Sequence, residues 1–195
     1  MRAVWKKDKV ISLELEENIY TIAQLVNPIA EMQFFAIFNK EDKWENIDLN
    51  QIDPLFCVSV GNVVMQRLGV RKLSNKEAKP KTGGFKHYFI KPGDNADGYR
   101  LRDEFMWSGG RLVDVGEDCE IDSYYAPTVI ENLTVEEHRT EILTYEFSNM
   151  YGDNHAKERL LHFYNTGINR DMMKKMVFPE LDTDETIPKV KMLKL

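Results

Sequence analysis

Three short apolar runs near the start of the chain, separated by connections of only a few residues, restrict the fold more than any other feature. Lys9 to Leu15 alternates, with Val10, Ile11, Leu13 and Leu15 set against Ser12, Glu14 and Glu16. Glu16-Glu17-Asn18 is polar and turn-tolerant, and Tyr20 to Val26 resumes the pattern. Asn27-Pro28 marks a second turn before the apolar, aromatic run Met32 to Phe38. Such connections leave no room for a crossover helix, so an antiparallel meander is predicted. After Asp53-Pro54, Leu55 to Val60 reads as a further strand, with Val63 to Leu68 continuing it past a bulge at Gly61. The expectation for residues 1–75 is a small twisted antiparallel sheet or barrel.

The next stretch changes character. Arg71 to Lys86 carries Arg71, Lys72, Lys76, Lys79, Lys81 and Lys86 against the single acid Glu77, broken by Pro80 and Gly83-Gly84. It reads as an exposed loop, with phosphate binding as the rival reading. His87 to Lys91 and Arg111 to Val115 read as strands within a mixed β and loop region over residues 76–130. Residues 131–179 are predicted helical. Thr134 and Glu137 have the form of a capping box, and Ile142, Leu143, Phe147 and Met150 follow at helical spacing. Asp153 is the expected cap of the next helix, which ends at Gly167, and Asp171 to Val177 forms a short third one. Residues 180–195 read as a tail. The fold class is therefore α+β, a β-rich front followed by helices.

Charge and cysteine usage narrow the partners. A formal net charge of −6 disfavours nucleic acid and anionic membrane and favours a basic protein partner. Two cysteines, Cys57 and Cys119, are too few for a disulfide scaffold or a zinc ribbon. The charged start of the chain is unlike a signal peptide, and no apolar run reaches membrane-spanning length, so a cytoplasmic location is expected.

A search for chemistry finds little. His155 and His162 lie seven apart and match no metal motif. Glu117, Glu120 and Asp122, the latter two sharing one face of a predicted strand, are the carboxylates a small metal-dependent hydrolase would use, yet no acid/base partner accompanies them. Nucleophile-elbow and phosphate-loop spacings are absent. No catalytic residue, metal or cofactor is expected. Recognition is the better reading: Asp114, Glu117, Asp118, Glu120, Asp122, Glu137 and Glu141 are interleaved with Tyr124, Tyr125, Tyr145 and Tyr151. Carboxylates draw in a basic partner, and tyrosines anchor a contact.

The opening strands also carry a resemblance. Trp5-Lys6-Lys7-Asp8-Lys9-Val10-Ile11-Ser12-Leu13-Glu14-Leu15, Tyr20-Thr21-Ile22-Ala23-Gln24-Leu25-Val26 and Phe34-Phe35-Ala36-Ile37-Phe38 resemble the first strands of the immunity protein 26 family. Leu55-Phe56-Cys57-Val58-Ser59-Val60 and Val63 to Val70 stand where that family places its next ones. The resemblance covers roughly the first 75 residues. It implies a mostly β fold and a non-enzymatic, intracellular role, neutralising a cognate toxin of a bacterial polymorphic toxin system by occlusion. It brings no catalytic residues. The alternatives are the metal-dependent hydrolase and a nucleic-acid-associated regulator acting through Arg71 to Lys86.

Overall fold

The two-residue turn Glu17-Asn18 decides the first pairing. Asn18 takes φ 63°, a left-handed conformation that asparagine tolerates better than most residues, and Glu16 thereby faces Ile19 across a tight hairpin. The structure is a computed structural model that describes residues 6–26, 31–83, 87–94, 107–148, 150–182, 184 and 189–195. In chain order the elements are β1 (Val10–Glu16), β2 (Ile19–Leu25), β3 (Glu31–Asn39), β4 (Ile47–Asp48), β5 (Pro54–Ser59), α1 (Asn62–Arg67), β6 (Gly69–Lys72), β7 (Ala78–Lys79), β8 (Tyr88–Asp94), β9 (Trp107–Asp114), β10 (Thr128–Ile130), α2 (Val135–Thr144), α3 (Asp153–Thr166), α4 (Met172–Val177) and β11 (Leu193–Lys194). The chain is α+β, with the antiparallel meander where the alternating runs placed it. It forms two compact units: Met1–Phe85 with Met150–Asn169 and Lys189–Leu195, and Lys86–Asn149 with Arg170–Pro188.

The first unit is built on an open six-stranded sheet, in the order β11-β3-β2-β1-β6, with β5 also on β3. Positions Met32 to Phe38 of β3 are all buried, which requires both faces of the sheet to be covered. On one face Val10, Ile22, Phe35 and Ile37 pack with Trp44, Leu49, Ile52 and Ala78. On the other, Phe34 stacks on Phe56 at 4.6 Å, and Phe38 meets Phe163 and Tyr164 of α3 at 6.2 and 5.2 Å. Alternation along β3 serves both, and the strand bulges against β2. Ala23 faces Phe34 and Thr21 faces Phe38, so β3 takes four steps where β2 takes two. The buried Thr21 hydroxyl lies 3.3 and 2.9 Å from the Phe35 and Ile37 carbonyls freed by the bulge, placed to donate to them.

Three expectations fail in this unit, the first being the tail, for Leu193–Lys194 is the strand β11, paired in parallel with β3. Val63 to Leu68 is not a strand: Asn62–Arg67 is the helix α1, begun at Gly61, with Val64 and Met65 buried and its neighbour being α3. Tertiary burial overrides the β preference of the valine pair. Nor is Arg71 to Lys86 a loop throughout, since it contributes the end of β6 and all of β7, which pairs in parallel with β4. Two of its cations have acidic partners. Arg71 donates to Asp42 at 2.6 Å and to Glu77 at 2.5 Å, and Lys79 lies 3.6 Å from Asp48. Lys86 lies outside the described residues.

Glu77 is the group most affected by this arrangement. Hydrogen bonds from the Ser74 backbone N–H, the Arg71 guanidinium and the Ser74 hydroxyl lower its carboxyl from the ordinary 4.5 to about 2. A depressed carboxylate contributes stability that is present above pH 4.5 and is lost as pH falls through 4.5 towards 2. Urea unfolding of the wild type and Glu77→Gln across that range should therefore show a stability gap that closes on acidification. A gap independent of pH would contradict the assignment.

The second unit holds the three-stranded antiparallel sheet β10-β9-β8. Phe89, Val113, Val115, Cys119 and Ala126 form one apolar cluster there, while Phe147 stacks on Phe178 at 6.3 Å. At the start of α2 the Thr134 hydroxyl accepts from the Glu137 N–H at 3.3 Å, as predicted. The reciprocal bond differs: the Thr134 N–H donates to His138 Nδ1 at 3.3 Å. The buried Lys174 of α4 donates to the Leu143 carbonyl at the end of α2, at 3.2 Å. Residues 95–106, within the mixed region, lie outside the described residues.

Candidate protein-recognition surface

The loop from Val115 to Pro127 leaves β9 and returns on β10, and its own short-range chemistry fixes its shape. Gly116 takes φ 74°, which needs glycine, and its N–H donates to Asp114 Oδ1 at 2.9 Å. A single 3-10 turn follows at Glu117–Cys119. The Ile121 N–H then donates back to the Val115 carbonyl at 2.9 Å. Asp122 closes the next turn: its carboxylate accepts from the Tyr124 N–H at 2.8 Å, and its carbonyl accepts from the Tyr125 and Ala126 N–H groups at 2.9 and 3.0 Å. Asp114 closes the base, its N–H donating to the Pro127 carbonyl at 2.9 Å.

Val115, Cys119 and Ala126 point into the cluster under the sheet, so the loop is held by both backbone bonds and buried side chains. What lies between these anchors faces outward. Tyr124 is 65% exposed and Tyr125 80%, their rings meeting edge to face at 5.2 Å. Ile121 is also exposed, as is Val129 on β10. Glu117, Glu120 and Asp122 are exposed beside them. Lys91 of β8 sits 4.8 Å from the centre of the Tyr124 ring, a cation–π contact that braces it.

The predicted site residues therefore separate. Glu117, Glu120, Asp122, Tyr124 and Tyr125 come together on one loop. Asp114, half-buried at its base, shapes it. Asp118 belongs to the 3-10 turn by its backbone, its side chain lying outside the described part. Glu137 and Glu141 are on α2, Glu137 exposed in its first turn and Glu141 half-buried, and Tyr145 at the helix end meets Tyr88 edge to face at 5.7 Å.

Tyr151 is a correction. It is 1% exposed and belongs to the other compact unit, where it bridges to Val60; its N–H donates to the Ser59 carbonyl at 2.8 Å. It is core and offers nothing to a partner. The shared strand face for Glu120 and Asp122 is also absent, because the 3-10 turn and the loop after it replace the strand. Among the described residues no three His, Cys, Asp or Glu side chains gather where a metal ion could be held. No helix among them is long and apolar enough to cross a membrane.

The chain matches a family model described as Domain of unknown function (DUF8309) over residues 1–183. The chain belongs to this family. The DUF8309 match takes in the loop, the three-stranded sheet that carries it and all but the last strand of the first unit. No curated protein and no solved structure matches the chain.

Proposed function

We propose that this DUF8309 chain is a protein-recognition module of the immunity type, which binds a basic toxin domain and occludes it through the loop Gly116 to Tyr125. The observation that carries the reading is the exposed Tyr124–Tyr125 pair on a loop pinned from beneath. Two large apolar rings in water are costly unless a partner covers them, and loop ordering in advance lowers the entropy lost on binding. Glu117, Glu120 and Asp122 beside the rings select a basic partner and speed its approach. The likeness of the opening strands to the immunity protein 26 family supports the same class of function.

Charge reversal tests the electrostatic half of this reading. Glu117→Lys combined with Glu120→Lys avoids Asp114 and Asp122, whose carboxylates shape the loop. Calorimetry against the proposed basic toxin domain should show affinity lowered by about tenfold or more, with the loss shrinking as salt is raised. An affinity unchanged at low salt would sink the proposal.

A further inference from the structure

β3 carries two neighbours along one edge. β5 pairs antiparallel with Glu31 to Phe35, and β11 pairs in parallel with Ile37 and Phe38. A two-residue parallel strand is a minimal pairing, yet four further contacts seat it. Leu193 packs on the cluster containing Val10, Phe35, Ile37 and Trp44. The Lys194 ammonium lies 4.0 Å from the centre of the Tyr164 ring and donates to the Tyr164 carbonyl at 3.1 Å. The Leu195 N–H donates to the Phe38 carbonyl at 2.8 Å. The edge thus reads an alternating pattern, an apolar residue on one face and a cation on the other.

The strand that fills the edge is set apart from the rest. Residues 189–195, Lys-Val-Lys-Met-Leu-Lys-Leu, carry three lysines and no acid in a chain whose net charge is −6. The edge itself lies within the DUF8309 match, whereas this segment lies beyond it. A basic segment on an acidic body is attracted to any second copy of that body, and a second copy presents the same acceptor.

We propose that the β3 edge at Ile37–Phe38 is a strand-acceptor site, and that its exchange partner is the segment 189–195 of a second copy of this chain. Swapping repeats the same contacts between copies, so its free-energy cost is small and the dimer forms on concentration. Displacing the strand exposes the flank of Ile37, which a second strand must then cover.

The test uses a fluorescein-labelled peptide of residues 189–195 and the chain ended at Pro188. Anisotropy should show saturable binding that weakens about tenfold or more with Tyr164→Leu and on the full chain, whose own strand competes at high effective concentration. Sedimentation of the full chain should show a monomer–dimer equilibrium that is absent in the shortened chain. No peptide binding beyond that of a scrambled sequence overturns the acceptor, and a full chain that stays monomeric at millimolar concentration overturns the exchange. If the shortened chain lacks the circular dichroism of the full one, full-length Lys194→Glu replaces it. Its dimer fraction must fall at equal concentration, and an unchanged fraction overturns the proposal.

Discussion

Replacing Tyr124 and Tyr125 together by alanine is expected to weaken the proposed complex with a basic protein partner by roughly 100-fold, about 3 kcal/mol, while leaving the melting temperature almost unchanged. The two readouts separate because the rings contribute to contact and hardly at all to the fold. Both are mostly exposed, so their removal leaves no cavity and no unsatisfied group. At an interface each buries an area comparable to a core aromatic, and tyrosine loses little rotamer freedom when it is covered. The loop keeps its shape in the variant, because the bonds that fix it run through the backbone and through Asp114 and Asp122. A Tyr124→Phe, Tyr125→Phe variant should retain most of the affinity, since the apolar area survives. Calorimetry with the double alanine variant decides the matter: affinity equal to the wild type would remove the rings from the interface.

Arg159→Ala is expected to produce the opposite pattern, a large loss of stability with no direct effect on the loop. Arg159 is 5% exposed on α3, its guanidinium 4.1 Å from the centre of the Phe56 ring. Its Nε donates to Asn169 Oδ1 at 2.7 Å, Asn169 donates to the Leu55 carbonyl at 3.0 Å, and Nη1 donates to the Tyr151 hydroxyl at 3.4 Å. One side chain thus connects α3, β5 and the Tyr151 bridge. Removing it takes one donor from Asn169 Oδ1 and one from the Tyr151 hydroxyl and opens space beside Phe56, together about 3 kcal/mol. For a chain of this size that lowers the melting temperature by about 6–12 °C in a calorimetric scan. A shift under about 2 °C would show that the neighbours close the gap on their own.

The part of the fold visible in the sequence is the part set by short-range rules. Alternation in β1 and β2, the polar turn between them and the aromatic run of β3 all act within a few residues, and the meander follows from them. Gly167 and Asp171 mark helix ends by local geometry, the first at φ 75° and the second by accepting the Met173 N–H at 2.9 Å. What escaped detection depends on distant partners. Val63-Val64 reads as strand, whereas in the structure it lies in a helix next to α3, which is ninety residues further on. Arg71 looks like a solvated cation until Asp42 and Glu77 close on it.

The site was legible in composition and not in geometry. Acids and tyrosines from Glu117 to Tyr125 stand out in the sequence, but nothing there shows that Asp114 and Asp122 serve the backbone. Exposed Ile121 and Val129 carry no signal in the sequence, because single apolar residues among polar ones are commonplace. Tyr151 fell among acidic neighbours and was grouped with them; its pairing with Val60 joins residues far apart in the chain. Arg159 did leave a signal, since it falls on the stripe of Ala156, Leu160 and Phe163 that α3 buries.

The chain passes from the first unit to the second and back twice. On the ribosome this imposes an order of events. The first sheet emerges early, but α3, which covers Phe38, is translated only after most of the second unit, a delay of several seconds at about 5–20 residues per second. Through that interval Phe38 stands without its α3 partners on one face of a nascent sheet. The first unit is therefore a late product of its own synthesis, and any message truncated before α3 yields a sheet with an uncovered apolar face, a substrate for chaperones and proteases.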